Sequence, residues 1–532
     1  MKPVEQLVEE SGIRPEEWIP YGRWKGKIDL AILRRIGSQP MGKLICVTAM
    51  TPTSAGEGKT CVSIGLTEAL GRLGMQPILC LRQPSMGPAL SLKGGGAGAG
   101  QAQVFPADEA NFHFTGDMHA VGAAHNLLAA MVDHHLGTGN RLELDVERIE
   151  WRRVVDLCDR SLREIQVGLE GSARVVPRRT GFDITAASEI SAVLALSMTR
   201  AELKERLGRI VVGWSRDGRP VTATQLGIVG AMAAVLREAF LPNLVQTIEG
   251  QAVLMHTGPF ANISHGNNSA IATAMALRLS RVVVTESGFA ADLGFEKFCH
   301  LVCPVGGFRP DAVVVVASVK ALKEHGHGVL RDGWENLTHH VRLVQRFGLP
   351  PVVALNRFPD DTEAELQAVL ELCRAEQVPA AVVEVVAKGG EGGAALAELV
   401  MRAAEAPSSF QRIYEADRPI TEKVGRLARE VYGAGEVTYS AEALAAIQRL
   451  EELGFGRLPI NVAKTRLSVS DDPLRKGAPT GWLMRVREVR LWNGAGYVVV
   501  LAGKTTLMPG MPVHPLAERI DVDDEGRLIG TS

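Results

Sequence analysis

The sequence predicts an α/β protein built on a phosphate-loop-type, mostly parallel sheet flanked by helices, with smaller α/β and C-terminal mixed domains. Runs of Val and Ile alternate with helical segments, and such uninterrupted apolar strands are typical of parallel sheets that are buried on both faces. A glycine-containing turn joins the first of these strands to a helix. The last stretch alternates around a glycine-bearing turn, which predicts an antiparallel hairpin from about Gly481.

Hydrophobic periodicity predicts the elements in chain order. The predicted strands are 44–50, 77–81, 251–255, 281–285, 312–318, 351–356 and 380–386. The predicted helices are one that runs from Lys59 to an end at Gly74, and 119–136, 187–206, 227–239 and 361–377. We expect three domains, 1–350, 351–466 and 467–532, with a soft boundary near residue 350 because strands continue across it.

Composition excludes several classes of protein. Hydrophobic residues make up 46% and charged residues 22% of the 532, which is ordinary for a globular protein with a sizeable core. The net charge is -2 and no long basic run is present, so we expect neither a nucleic-acid nor a membrane partner. The acidic N-terminus is not typical of a signal peptide, and the apolar runs are strand-sized, so we expect a cytoplasmic protein. The seven scattered cysteines lack a C-x-x-C pair and indicate no zinc site or disulfide framework.

The turn after the first predicted strand reads TPTSAGEGKT and matches the phosphate-loop pattern G-x-x-x-x-G-K-[ST] except at Thr53. A strand–turn–helix unit of this kind directs backbone N–H groups and a helix N-terminus at an anion. Lys59 is expected to reach the outer phosphates of a nucleotide, and the Thr60 hydroxyl to ligate Mg²⁺. Thr53 is tolerable if its φ stays negative. An ordinary turn with a solvated lysine is the alternative. The predicted loop residues are Thr53, Ser54, Ala55, Gly56, Glu57, Gly58, Lys59 and Thr60.

Further side chains follow the carboxyl ends of the predicted strands, where open parallel sheets bind their ligands. Arg82 lies at the same edge as the loop, and its planar guanidinium is suited to clamping an anion. Phe289 stands exposed between small neighbours, Asn356 offers an amide to a base edge, and Phe358 offers a ring for stacking. KGGGAGAG and VAKGGEGG are two further glycine-bearing loops that we expect at the carboxyl ends of strands. Together these loops predict one composite site.

The segment HFTGDMHA places His113, Asp117 and His119 immediately before a predicted helix. Asp117 is a candidate N-cap residue. The cluster is equally a candidate for acid–base chemistry or for orienting a substrate. Its spacing matches no standard metal signature.

The motifs in order identify a resemblance that covers nearly the whole chain. They are TPTSAGEGKT, RQPSMGP, KGGGAGAG, FTGDMHA, TGFDITAASE, RLGRIVVG, NLVQTIEG, HTGPFANISHG, GFAADLGFEKF, FGLPPVVALNRFPDDTEAE, AKGGEGG, AKTRLSVSDDP and GAGYVVVLAG. With these motifs the sequence resembles the formate–tetrahydrofolate ligase (10-formyltetrahydrofolate synthetase) family. The family loop reads T-P-x-x-x-G-E-G-K-T, so Thr53 is the family's own form.

The resemblance implies an ATP-dependent ligation of formate to nitrogen 10 of tetrahydrofolate, in one-carbon metabolism, through bound formyl phosphate. It implies Mg²⁺, activation by a monovalent cation (K⁺ or NH₄⁺) and a homotetramer. Arg82 matches the arginine that grips formyl phosphate, and Phe358 matches one of two aromatic residues that sandwich the pterin. The predicted catalytic residues are Lys59 and Arg82, which the resemblance implies, and Asp117 and His119, which are candidates from their acidic and histidine cluster.

Three positions depart from the family pattern. Gln83 stands for a glutamate, Lys320 for an arginine, and Val386 for the second pterin-stacking aromatic residue, a tryptophan. Two other functions are alternatives to the formyl-transferring ligase. One is an ATP-driven switch or scaffold with the same loop, although a switch has no need of the other small-molecule loops. The other is a ligase of the same mechanism that acts on an altered acceptor.

Overall fold

A computed structural model describes residues 1–91, 96–172, 174–503 and 506–530. Its centre is a twelve-stranded, mostly parallel sheet, and the seven predicted strands form one continuous parallel block within it. In spatial order the block consists of Ala252–Met255, Ile78–Leu81, Val282–Glu286, Lys43–Ala49, Ala312–Ala317, Pro351–Asn356 and Ala380–Val383. The predicted fold class is confirmed.

The strand Lys43–Ala49, which leads into the glycine turn, lies near the middle of the block. Its two faces show why the strands of the block are apolar. Leu44 and Cys46 face one hydrophobic layer, whereas Ile45 and Val47 face another. Both faces are covered by helices, so every position of the strand except its first is buried.

Antiparallel strands extend the sheet beyond Ala252–Met255 and smaller sheets surround it. The extending strands are Asn243–Thr247, Gly26–Ile28, Trp18–Pro20, Ala102–Phe105 and Gly98–Ala99. One smaller sheet has three strands, Leu144–Ile149, Val211–Ser215 and Pro220–Thr222. Three others have two strands each: Arg153–Val155 with Phe182–Ile184, Ile165–Val167 with Arg178–Thr180, and Asp521–Val522 with Leu528–Ile529.

Helices cover the sheet on both faces. The α-helices of the described residues, including those that pack elsewhere, are Val4–Glu10, Ile32–Ile36, Lys59–Arg72, Met86–Ser91, Ala107–Asn111, Asp117–Gly137, Glu189–Leu196, Arg200–Arg209, Val229–Val235, Ala270–Leu279, Cys303–Gly306, Val319–His325, Trp334–Arg346, Glu363–Ala375, Val385–Lys388, Ala394–Glu405, Ile420–Glu430 and Ala441–Glu452. Within the described ranges, none of the helices is both long and apolar enough to cross a membrane.

Three predicted elements need correction. The single helix predicted at 187–206 is two helices, because Thr199 accepts a hydrogen bond from the Glu202 N–H at 3.0 Å and so caps a new helix. The helix predicted at 227–239 covers only Val229–Val235. The strand predicted at 380–386 ends at Val383, and a one-turn helix follows.

The predicted C-terminal hairpin is confirmed. Trp482–Trp492 and Tyr497–Ala502 pair antiparallel, and Ala434–Tyr439 and Ile460–Ala463 flank them in parallel to complete a four-stranded sheet. The domain boundaries near residues 350 and 466 stay predictions, and strand pairing crosses both positions.

Candidate active site

The glycine turn follows the central strand and leads directly into the helix Lys59–Arg72. Gly56 and Gly58 have positive φ angles of 87° and 72°, a conformation that glycine adopts without the Cβ penalty of other residues. Thr53 is not among the described residues with positive φ, as its fit to the turn requires. The first N–H groups of the helix and of the turn therefore surround one space at the carboxyl edge of the sheet.

Glu57 stabilises the turn from inside. One of its carboxylate oxygens accepts a hydrogen bond from the Thr53 N–H at 2.7 Å, and the Ser318 hydroxyl donates to the other. The Asn356 amide donates to the Glu57 carbonyl oxygen at 3.1 Å. A Cβ on Gly58 would lie 2.4 Å from the same amide nitrogen, so only glycine fits there. The turn is thus held by neighbouring strand ends before any ligand binds.

A cavity of about 230 Å³ lies in front of the turn. Its lining comes from four loops at the carboxyl ends of adjacent strands, in agreement with the general rule for open parallel sheets. The lining residues are Ala55, Gly56, Glu57, Gly58, Lys59, Thr60, Leu81, Arg82, Gln83, Pro84, Ser85, Pro88, Ala89, Gly96, Gly258, Phe260, Glu286 and Phe289. The structure therefore brings the loop residues from Ala55 to Thr60 together with Arg82 and Phe289. Gly94 and Gly95, from the predicted glycine-rich loop, lie outside the described residues.

Two cations, Lys59 and Arg82, and two carboxylates, Glu57 and Glu286, give the cavity its charge. Lys59 is half-buried, and burial lowers the pKa of its ammonium group while the neighbouring Glu286 carboxylate opposes that shift. The Arg82 guanidinium donates to the Pro259 carbonyl oxygen at 3.3 Å and approaches Glu286 at 3.5 Å. Its Nε atom is buried without a hydrogen-bond partner, which leaves a donor for an anionic ligand. The arrangement fits a phosphate or carboxylate.

The residues beside Lys59 also fit a magnesium ion. The Thr60 hydroxyl donates to a Glu286 carboxylate oxygen at 2.6 Å, and both residues line the cavity. Mg²⁺ prefers oxygen ligands and is commonly held by one or two protein oxygens together with substrate phosphates. The described part of the chain has no group of three or more His, Cys, Asp or Glu that could hold a metal without a ligand.

Phe289 is half-buried at the cavity wall in a strained conformation with a φ angle of 61°. The Arg466 guanidinium lies 5.5 Å from the centre of its ring, and the same guanidinium donates to the Ser54 carbonyl oxygen at 3.4 Å. Arg466 comes from the AKTRLSVSDDP motif and thus joins a distant segment of the chain to the turn.

Asp117 and His119 lie on the helix Asp117–Gly137, and neither lines the cavity. The N-cap hypothesis for Asp117 is wrong, because Gly116 is the capping residue and the Asp117 carboxylate bonds elsewhere. It accepts hydrogen bonds from the buried Lys27 ammonium group and from the Asn243 amide, both at 2.7 Å. His119 is exposed. Their proposed part in catalysis stays a prediction.

Asn356, Phe358 and Val386 lie at the same edge of the sheet beyond the cavity. Asn356 and Val383 are register partners in adjacent parallel strands, so Phe358 and Val386 follow neighbouring strand ends. Phe358 is half-buried, whereas Val386 is 42% exposed on the helix Val385–Lys388. Val386 is therefore not a residue of the sheet core. Asn356 holds the turn from behind, a role that the sequence prediction of base recognition did not include.

Sequence reasoning missed Glu286, Lys27 and Arg466. Glu286 carried a usable signal, because it is an acidic residue at the carboxyl end of an apolar strand. Lys27 and Arg466 carried none, since their partners lie 90 and 412 positions away in the chain.

The fold and the cavity define an α/β protein with a cavity suited to an anionic ligand at the carboxyl ends of parallel strands. The family model described as formate–tetrahydrofolate ligase matches residues 1–532 of the chain. Relatives with the name formate–tetrahydrofolate ligase come from Roseiflexus sp. (strain RS-1), Symbiobacterium thermophilum (strain DSM 24528) and Nocardioides sp. (strain ATCC BAA-499). Each is 49% identical over 100% of this chain and 98% of its own length. The chain belongs to the formate–tetrahydrofolate ligase family, whose members are ATP-dependent ligases.

Proposed function

We propose that this chain ligates formate to nitrogen 10 of tetrahydrofolate at the expense of ATP and releases 10-formyltetrahydrofolate, ADP and phosphate. Membership of the family supports the overall reaction. The observation that carries the assignment of the site is the cavity itself, in which Lys59 and Arg82 line one space with the glycine turn.

Formate needs activation, because its carboxylate is anionic and resonance-stabilised and so resists attack at carbon. A formate oxygen attacks the γ-phosphorus of ATP, the bond to the β-phosphate oxygen breaks, and ADP leaves. The product is formyl phosphate, a mixed anhydride whose phosphate is a good leaving group. Nitrogen 10 then attacks the formyl carbon, phosphate leaves, and the nitrogen loses its proton.

The residues of the cavity suit the first step. The N–H groups of the turn hold the phosphates, and the Lys59 ammonium group offsets charge on the transferring phosphoryl group. The half-buried guanidinium of Arg82 binds the oxygens of formyl phosphate, with its unpaired Nε as a further donor. Because Arg82 and Lys59 line the same cavity, the phosphoryl group need not move far between donor and acceptor.

Magnesium, when bound, supplies charge neutralisation on the β- and γ-phosphates, and Thr60 is the residue that would hold it. The monovalent cation, K⁺ or NH₄⁺, enters from the family resemblance alone, and no residue is assigned to it. The homotetramer also comes from that resemblance, whereas the cytoplasmic location rests on the acidic N-terminus and the strand-sized apolar runs.

A coupled assay tests the proposed function directly. Purified protein should form 10-formyltetrahydrofolate only when formate, ATP and tetrahydrofolate are all present, and should release ADP in proportion. ADP release that needs neither formate nor tetrahydrofolate would instead support the switch. ADP release that depends on formate alone would support an altered acceptor. Light scattering on the same preparation gives the mass of the assembly, and a monomer would contradict the tetramer.

Val386→Trp should lower the Michaelis constant for tetrahydrofolate. Phe358 and Val386 follow adjacent strand ends, and Val386 is exposed, so an indole there can cover the second face of a flat ring. Stacking of a base on an aromatic side chain contributes about 1–3 kcal/mol, and a pterin should behave similarly. Steady-state kinetics at saturating ATP and formate measure the change.

A matched control for this variant is Val329→Trp, which adds the same ring at another exposed position. It should leave the Michaelis constant unchanged. An unchanged or higher constant in a folded Val386→Trp protein would count against pterin stacking at this edge.

A further inference from the structure

Two carboxylates, Glu57 and Glu286, line the cavity, and they differ in their hydrogen bonds. Glu57 is only 1% exposed, and the Thr53 N–H and the Ser318 hydroxyl each donate to one of its oxygens. Glu286 accepts one short hydrogen bond, not two. One of its oxygens accepts from the Thr60 hydroxyl, and the other has only a long 3.5 Å contact with Arg82. Among the described lining residues, Glu286 is therefore the carboxylate with capacity for a ligand.

The position of Glu286 is fixed by the sheet. It is the last residue of the strand Val282–Glu286, which pairs in parallel with the strand that leads into the turn, and its register partner is Val47. The next residue continues this pairing, because the Ser287 N–H donates to the Val47 carbonyl oxygen at 2.9 Å. With its side chain only 8% exposed, Glu286 has little freedom to turn away from the cavity.

The negative charge of Glu286 makes binding depend on whether the nucleotide carries a divalent cation. A fixed carboxylate in a partly buried cavity repels a nucleotide that carries its full negative charge and attracts one whose phosphates carry a divalent cation. Glu286 also holds the Thr60 hydroxyl, so the oxygen that would ligate the cation is oriented before binding. Glu57 cannot supply this discrimination, because its oxygens are committed to the turn.

We propose that Glu286 is the positioning residue that makes nucleotide binding depend on a divalent cation. It orients Thr60 and supplies the negative charge that favours the metal complex of the nucleotide over the metal-free nucleotide. This inference rests on the proposed function, in which the cavity binds ATP. It adds a residue that selects the form of the nucleotide, separate from the residues that act on the phosphoryl group.

Isothermal titration calorimetry with the ATP analogue that has an imido β,γ-bridge tests the inference without turnover. The wild type and Glu286→Gln are each titrated with the analogue in excess Mg²⁺ and in excess EDTA. In Glu286→Gln, affinity for the magnesium complex should fall about 10–100-fold, the range for loss of residues that support a metal ligand. Affinity for the metal-free analogue should stay the same or rise, because a repelling charge is gone.

Glu286→Asp retains the carboxylate and should restore part of the preference for the magnesium complex. Glu205→Gln, which removes an exposed carboxylate on the helix Arg200–Arg209, should behave as the wild type. Mn²⁺ in place of Mg²⁺ gives a second readout, since its electron paramagnetic resonance spectrum should report weaker retention of the metal in Glu286→Gln. Circular dichroism verifies that each variant is folded.

The outcomes separate this inference from the proposed function. Wild-type binding with no preference for the magnesium complex, or an equal loss of both forms in Glu286→Gln, would overturn the role of Glu286 and leave the nucleotide site standing. Failure of the wild type to bind the analogue in either form would overturn the nucleotide site itself, and the role of Glu286 with it. A loss confined to the magnesium complex supports the inference.

Discussion

Lys59→Ala is expected to reduce turnover by about 10²–10³-fold while the protein stays folded. The ammonium group lines the cavity at the start of the helix Lys59–Arg72, where charge on the transferring phosphoryl group develops. Loss of one contact that stabilises a transition state costs about 3–4 kcal/mol. Rapid-quench measurement of ADP formation in a single turnover isolates this step from product release.

Two variants accompany this measurement. Lys204→Ala removes an exposed lysine from another helix and should leave the rate unchanged. Lys59→Arg keeps a positive charge and should retain more activity than the alanine variant. Near-normal turnover in Lys59→Ala would show that the glycine turn is not the phosphate site.

Asp117→Asn is expected to destabilise the protein by about 3–5 kcal/mol, the usual cost of breaking a buried ion pair by removal of one partner. The Asp117 carboxylate lies 2.7 Å from the Lys27 ammonium nitrogen, and the two side chains are 5% and 0% exposed. The asparagine keeps the shape but leaves the ammonium group buried without its counter-charge. Equilibrium unfolding in urea measures the loss.

The double variant Lys27→Met/Asp117→Asn should be more stable than the sum of the single changes predicts, because neither charge is left alone. Asp524→Asn, an exposed aspartate, is the matched control and should unfold as the wild type does. An Asp117→Asn protein with reduced turnover but unchanged stability to urea would contradict the ion-pair role. It would support the predicted part of Asp117 in catalysis.

The parallel part of the fold was predictable because its strands are apolar on both faces. Val and Ile runs identified all seven strands of the block, and the rule for open sheets located the cavity edge. The break between the helices Glu189–Leu196 and Arg200–Arg209 was missed although Thr199 and Glu202 formed a recognisable capping pattern. The antiparallel edge strands were missed because at three residues each, Trp18–Pro20 and Gly26–Ile28 are too short to show a period.

The site was predictable where one short segment carries the chemistry. The turn from Thr53 to Thr60 contains its own glycines, lysine and hydroxyl, so the pattern is complete in one stretch. Contacts between distant segments were not predictable. The pairing of Lys27 with Asp117 depends on the order of strands and helices in space, and local periodicity does not encode that order.

The close fit between Gly58 and Asn356 limits which movements can open the site. There is no room for a methyl group between them, and the Asn356 amide is bonded to the turn through the Glu57 carbonyl oxygen. The turn and the end of the strand Pro351–Asn356 are therefore coupled, because a displacement of one presses on or stretches its contact with the other. A movement that widened the cavity and left this contact intact would use the other loops of the lining, such as the one that contains Gly258 and Phe260.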